Sequence, residues 1–319
     1  MATPTPPDPD LTARFAADLA ALWRGEGRLG LAVSGGPDSL ALLLLAHAAL
    51  PGRVAAATVD HGLRAESANE AAMVGQVCAA IGVPHQTLSV AVEPGNIQSR
   101  ARAARYAALA GWMQQEQLEA LATAHHADDQ AETLLARLGR GSGVAGLAGV
   151  RARGQVPGTP LLLLRPLLGW RRDELGGVVA AAGLVAVADP SNADDRFDRA
   201  RIRKAIAGAD WLDVPALAQS AANLADSDAA LDWAAAREWR ECVTKGPLGL
   251  TYRPQAPRAV ALRVLARIVT ELDGQTPRGS AVARLFESLL ARQPASIGNL
   301  VARAMPDGWS FSKAPKRRS

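Results

Sequence analysis

Cysteine is nearly missing from the 319-residue chain: only Cys78 and Cys242 occur, and they form no C-x-x-C pair. Zinc, iron–sulfur and disulfide frameworks therefore lack their usual ligands. Lysine is almost as scarce. Of 35 basic residues only Lys204, Lys245, Lys313 and Lys316 are lysines, so the first 203 positions hold none. Long apolar runs are missing too: the longest, Leu40 to Leu50, contains His47 and stops at Pro51, well short of the roughly 20 residues that cross a bilayer. The opening MATPTPPDPD has neither the basic nor the apolar region of a secretory signal, and its prolines mark residues 1–14 as a disordered tail. The expected setting is the cytoplasm, with no membrane partner. Internal repeats are absent as well.

What is present is an ordinary globular composition, 49% apolar and 21% charged, which excludes a disordered or collagen-like chain. The length suits roughly two domains of about 150 residues each. The isoelectric point of about 9.5 hints at a polyanionic partner, but the net charge of +4 equals the four basic residues in the final KAPKRRS, leaving 31 basic against 31 acidic residues ahead of it. Overall charge is thus a poor guide to nucleic acid, and the signals that matter are local.

From residue 29 short β-like runs alternate with amphipathic stretches. Strands are expected at 29–33, 54–59, 86–92, 118–123 and 161–164, and helices at 38–50, 66–81, 98–116, 128–139 and 171–183. Such repetition predicts an α/β fold, a Rossmann-like parallel sheet with helices on both faces and ligands at the carboxyl ends of the strands. After Pro190 a polar loop leads into the arginine-rich RARIRK, then an Ala-rich helical stretch at 214–242, a strand at 248–252, helices at 258–272 and 279–292, and β-like segments at 297–302 and 309–311. The expected domains are a catalytic unit over 15–212, a smaller helical, α+β unit over 213–312, and a basic disordered tail over 313–319.

The sharpest local signal is LAVSGGPDSLALL at 31–43, a buried strand running through Ser34, Gly35, Gly36, Pro37, Asp38 and Ser39 into a helix. Glycines permit the turn, Pro37 suits a first helical position, and amides with the Ser34 and Ser39 hydroxyls make an anion cradle. No lysine is there to complete a Walker A loop, so phosphate must be held by backbone, hydroxyls and a metal on Asp38. The bland alternative is a plain strand–turn–helix corner. Asp60 and His61 end the second strand, where they border a nucleotide or simply form an Asp-His-Gly turn. In HHADDQAET at 125–133, acids open a helix; Asp128 and Glu132 are as readily dipole partners as functional groups. Arg102 and Arg105 sit three apart beside Tyr106, solvated on an anonymous helix. Five glycines between Gly139 and Gly149 surround Arg140 and Ser142 and usually mean a flexible connector. Arg196, Arg199, Arg201, Arg203 and Lys204 suit phosphate binding or a salt-bridged helix.

The SGGPDS element after a first strand resembles the PP-loop of the N-type ATP pyrophosphatases, which split ATP between its α- and β-phosphates. With VDHGLRAES at 59–67, RARAARY at 100–106, the long ATAHHADDQAETLLARLGRGSGVAGLAG at 122–149, LRPLL at 164–168 and DPSNADDRFDRARIRKAI at 189–206, the order and spacing are similar to the tRNA(Ile)-lysidine synthetases. That resemblance implies a ligase using ATP and Mg2+ to join free L-lysine to the wobble cytidine of a tRNA(Ile) with a CAU anticodon. It implies Asp38, Arg105, His125 and Asp129 as catalytic residues, with Asp38 and Asp129 as magnesium ligands. Ser34 to Ser39, Asp60 and His61 would bind ATP. Arg140, Arg199, Arg201 and Arg203 would meet tRNA phosphates, the glycine-rich loop would border the pocket, and the second domain would grip the tRNA. A homodimer is compatible with these signals but not fixed by them. One departure stands out: the family pattern R-N-R-I-R has Ala200 in place of its asparagine here, which weakens any role of that amide. Rival readings are a tRNA thiolase, which would want a cysteine cluster, a glutamine-dependent ligase, which would want a glutaminase domain, and a non-catalytic nucleotide-binding protein, which has no need of HHADDQAET.

Overall fold

The computed structural model describes residues 2–62, 67–91, 97–187, 198–247 and 249–314, without the side chains of 97–99 and 198–199. The chain divides into two compact units, Met1–Ala225 and Asp226–Ser319. The first runs α1 (Pro9–Leu22), β1 (Leu29–Ala32), α2 (Pro37–Ala49), β2 (Val54–Asp60), α3 (Ser67–Ala80), β3 (His85–Ser89), α4 (Ile97–Gln115), β4 (Ala120–Ala122), α5 (Ala127–Leu138), α6 (Val144–Leu147), β5 (Arg153–Gln155), β6 (Leu162–Leu164), α7 (Arg172–Ala181) and α8 (Asp198–Ala207), ending in the start of α9 (Val214–Cys242).

Its six strands are ordered β3-β2-β1-β4-β6-β5, with every pairing parallel except β5 against β6. Strand β1 is buried along its whole length, as a parallel strand covered on both faces must be. Side chains alternate between the two covers. Leu29, Leu31 and Leu164 join the core built with α2, whereas Ala32, Leu121 and Leu163 join a separate core with Tyr106, Leu109 and Met113 of α4. Residues 40–46 of α2 are buried all round, which is why that stretch reads as apolar without periodicity.

Two expectations are corrected here. The proline-rich start is not a tail through residue 14: α1 begins at Pro9, capped by Asp8 Oδ1 accepting from Asp10 N at 2.8 Å. Proline fits the first helical position because its missing N–H is unsatisfied there anyway, and Phe15 and Leu19 drive the helix into the core. The sheet also carries the antiparallel edge strand β5, whose three residues, Arg153–Gln155, hold no apolar signal.

The compact units part between Ala225 and Asp226, inside α9. The second unit continues through β7 (Val243–Gly246), β8 (Gly249–Tyr252), α10 (Arg258–Asp273), α11 (Gly279–Leu290), β9 (Ala295–Ile297), β10 (Leu300–Met305) and β11 (Gly308–Lys313). These five strands form an antiparallel sheet ordered β7-β8-β11-β10-β9. Trp309 anchors its core, edge-on to Tyr252 and Phe286 with centroids 5.7 and 5.6 Å away. Glu238 is buried there but satisfied, accepting from Tyr252 Oη, Gln255 N and Ala256 N at 3.1, 2.8 and 3.1 Å. Lys313, placed in the basic tail by composition, closes β11, while 315–319 lie outside the described residues.

Candidate active site

Strand β1 delivers the chain into Ser34–Ser39 at the carboxyl edge of the sheet, and α2 starts at once. Ser39 Oγ organises the turn: it accepts from Ser34 N at 3.1 Å, donates to Gly36 O at 2.9 Å and lies 3.2 Å from Ser34 Oγ. Gly35 has φ +85°, which favours glycine, and a Cβ there would be tight, 3.2 Å from Met73 and 3.3 Å from Val187. The first helical bond runs from Leu40 N to Gly36 O. The amides of Asp38 and Ser39 therefore have no helical carbonyl to reach and face outward at the positive end of the helix dipole. This is an anion cradle made without lysine.

Next to it stands a cluster that the sequence only half disclosed. His126 begins α5 and is 1% exposed, with Nε2 lying 3.4 Å from Asp38 Oδ2 and 3.5 Å from Asp129 Oδ2, and Nδ1 lying 3.6 Å from Asp128 Oδ2. Asp129 Oδ2 also accepts from His126 N at 3.1 Å, fixing the carboxylate against the helix start. Burial alone would pull the imidazole down, but the carboxylates of Asp128, Asp38 and Asp129 outweigh it and push His126 up to about 9. Asp128 is held well below the usual carboxylate range: burial raises it, but His126, the Arg171 guanidinium and Arg172 N–H win, with Arg172 N donating to Oδ2 at 2.9 Å. Its role is to hold α7 against α5.

The imidazolium has a measurable consequence. A folded-state value near 9 against 6.5 unfolded contributes stability that is complete below about pH 6.5 and lost as pH rises through about 9, on the order of 3 kcal/mol. Urea unfolding at pH 6, 7.5 and 9 is expected to show that decline in the wild type and a much flatter profile in His126→Gln. Parallel profiles would remove the imidazolium from the account.

The phosphate loop implies a metal beside this donor set. Asp38 Oδ1 is buried without a hydrogen-bond partner, and the Asp38 and Asp129 carboxylates converge on one imidazole nitrogen. Among the described residues no three His, Cys, Asp or Glu side chains form a complete cage. Two carboxylates are what a magnesium ion takes when phosphates and water supply the rest, so the residues fit it.

At the end of β2, Asp60 Oδ1 accepts from Ser67 Oγ at 2.7 Å and Gly62 N at 2.9 Å, and these bonds lower its carboxyl. Asp60 therefore closes the Asp-His-Gly turn. His61 is lowered by burial and by nearby Arg105. Arg105 is lowered chiefly by burial, with Arg102 adding to the effect, and the Arg102 guanidinium lies 5.1 Å from the Tyr106 ring centroid. A third arginine, Arg165, lies near Tyr106 and Arg102. It follows β6, is 8% exposed, donates from Nη1 to Arg151 O at 2.6 Å and keeps a buried Nε without a partner. An arginine where apolar strand residues should continue, in LRPLL, was the available clue. By side-chain alternation this arginine group enters from the α4 face of the sheet edge and α2 from the other.

Other expected residues are placed differently. His125 pairs its Nδ1 with Thr123 Oγ1 at 3.0 Å. Arg203 Nε donates to Glu132 Oε1 at 2.8 Å, with Arg172 Nη2 3.4 Å from the same oxygen, so Arg203 binds α8 to α5. Arg201 and Arg140 are exposed. The side chain of Arg199 and residues 63–66 and 188–197, Arg196 among them, lie outside the described residues. The glycine-rich segment is tied at its exit: Gln130 Nε2 donates to Val150 O at 2.8 Å and Val150 N donates back to Oε1 at 2.7 Å.

A lysine-free phosphate loop at a parallel-sheet edge, faced by two carboxylates, defines a PP-loop nucleotide-binding enzyme, and the PP-loop domain family matches residues 9–209. The fold resembles a U34-tRNA thiolase from Methanococcus maripaludis, with a TM-score of 0.55 at 16% identity over 67% of this chain and 78% of that one. Along the sequence, the chain is 50% identical to a tRNA(Ile)-lysidine synthase of Novosphingobium aromaticivorans over 96% of its length and 95% of the relative's. It is 41% identical to a tRNA(Ile)-lysidine synthase of Zymomonas mobilis over 92% and 90% of the two chains. The chain belongs to the tRNA(Ile)-lysidine synthase family.

Proposed function

We propose that this protein uses ATP to join free L-lysine to C2 of the wobble cytidine in a tRNA(Ile) with a CAU anticodon. The observation that carries this reading is the likeness to enzymes of that name over nearly the whole chain. The cytosine O2 attacks the α-phosphorus, and pyrophosphate leaves. The ε-amine of lysine then attacks C2, AMP departs with the former O2, and the amine proton goes to a base.

The residues supply what these steps need. Amides of Asp38 and Ser39 and the Ser34 hydroxyl receive phosphate oxygens, concentrating positive potential where charge builds. Asp38 and Asp129 would hold magnesium, which neutralises phosphate charge when bound. Asp129, fixed by its bond from His126 N, accepts the amine proton. Arg105 and Arg165 approach from the opposite face and offer guanidiniums to the anionic adenylate. An anticodon base, unstacked and edge-exposed, is the kind of RNA target that proteins read directly. The thiolase alternative loses support because both cysteines are buried and burial pushes the Cys78 thiol up to about 12. No helix among the described residues is long and apolar enough to cross a membrane.

The test is labelled lysine and pyrophosphate release with CAU and GAU anticodon transcripts. Lysine is expected to enter only the CAU transcript, with one pyrophosphate per lysine. Equal pyrophosphate release without tRNA would sink the assignment.

A further inference from the structure

Trp211 leaves 79% of its surface in solvent, although tryptophan carries one of the largest apolar surfaces of any side chain. It sits on the short connection between α8 and α9, and that connection is pinned. Gly208 N donates to Lys204 O at 3.1 Å, Ala209 N to Ile206 O at 3.1 Å and Leu212 N to Ala209 O at 3.0 Å. On the far side Asp213 caps α9, its Oδ2 accepting from Ala216 N at 3.0 Å and its carbonyl from Leu217 N at 3.0 Å. Ile206 and Val214, which bracket the connection, pack on Ala127 and Ala131 of α5.

The indole is thus presented by a fixed loop seated on the helix whose first turn carries Asp128 and Asp129. Val214 is three residue steps beyond Trp211, a span of at most about 11 Å. The neighbours narrow the ligand. Asp210 and Asp213 stand on either side and would repel a phosphate, while the neutral, flat face of a base meets no such opposition. Basic residues of α8, Lys204 and Arg201, lie seven and ten residues earlier, suited to the backbone that such a base hangs from. Leu138 and Val185, also exposed in this unit, have no π-face to offer.

We propose that the Trp211 indole is a stacking platform for an unpaired nucleobase adjacent to the one that reacts. The inference rests on the RNA-modifying reading above. A base drawn into a pocket leaves its neighbour with an uncovered face, and an aromatic side chain covers such a face without reading its sequence.

The experiment compares wild type, Trp211→Ala and Trp211→Phe in steady-state lysidine formation, with fluorescence titration of a CAU anticodon stem-loop. Trp211→Ala is expected to raise KM for tRNA about tenfold while KM for ATP and lysine stay within twofold, and Trp211→Phe to recover most of the loss. Stem-loop binding should quench wild-type fluorescence more than that of Trp211→Phe. A tRNA KM within twofold of wild type for Trp211→Ala overturns the proposal. So does a change in sedimentation from dimer to monomer in that variant, which would make the indole a contact between copies. If the wild type forms no lysidine, the functional reading fails instead, and the platform stands or falls on the fluorescence difference with the stem-loop alone.

Discussion

Replacing Asp129 with asparagine is expected to lower lysidine formation at least about 100-fold, within the usual range for removing a positioned general base, while leaving the melting temperature within a few degrees of wild type. The asymmetry follows from two roles that one carboxylate plays. As a cap, Oδ2 accepts from His126 N, and an asparagine oxygen can accept the same bond. As a charge, it faces His126 Nε2 across 3.5 Å and shares the site with Asp38; an amide can neither take a proton from an amine nor neutralise a cation. Single-turnover lysine transfer with preformed adenylate separates the steps. A defect confined to adenylation would reassign Asp129 from proton acceptor to phosphate-side work, and near-normal turnover would remove it from the mechanism.

Glu132→Ala is expected to cost about 2–4 kcal/mol of unfolding free energy, below the full range for breaking a buried pair because its partners are partly solvated. Glu132 is 1% exposed and receives Arg203 at 2.8 Å and Arg172 at 3.4 Å. Alanine takes the shared carboxylate away from both guanidiniums and leaves a cavity in its place. The double variant Glu132→Leu, Arg203→Met should regain a good part of the loss, since only Arg172, the longer contact and partly solvated, then lacks the carboxylate. Urea midpoints check both, and a loss under about 0.5 kcal/mol for Glu132→Ala would show that α8 is held to α5 by apolar contact alone.

The parallel sheet was legible because most of its strands are short apolar runs alternating with helical stretches, and all five expected strands of the first unit are present within a few residues. What escaped had physical reasons. Strand β5 is polar and pairs on one side only. Helix α1 hides behind prolines that look like disorder but suit a helix start. In the site, Asp38 and Asp129 do come together, but the group between them is His126, not the neighbouring His125. Adjacent histidines look alike in one dimension; only the cap geometry of α5 turns the second inward. Arg203 shows the converse. Its charge was plain, but pairing with Glu132 depends on how α8 lies against α5, which no local pattern encodes. The family reading, by contrast, was available from motif order alone.

The paired hydrogen bonds between Gln130 and Val150 also sort the glycines that precede them. Gly149 holds φ +61°, and a Cβ there would come 2.4 Å from Gln130 Oε1, so any side chain would wedge the clasp open. Three residues back, a Cβ on Gly146 would meet the Ser142 Cβ at 2.8 Å, whereas one on Gly143 would meet nothing. The segment resembles a tether knotted at its downstream end more than a uniformly slack linker. Substitution in this segment has room at Gly143, where a Cβ would meet nothing, but none at Gly149.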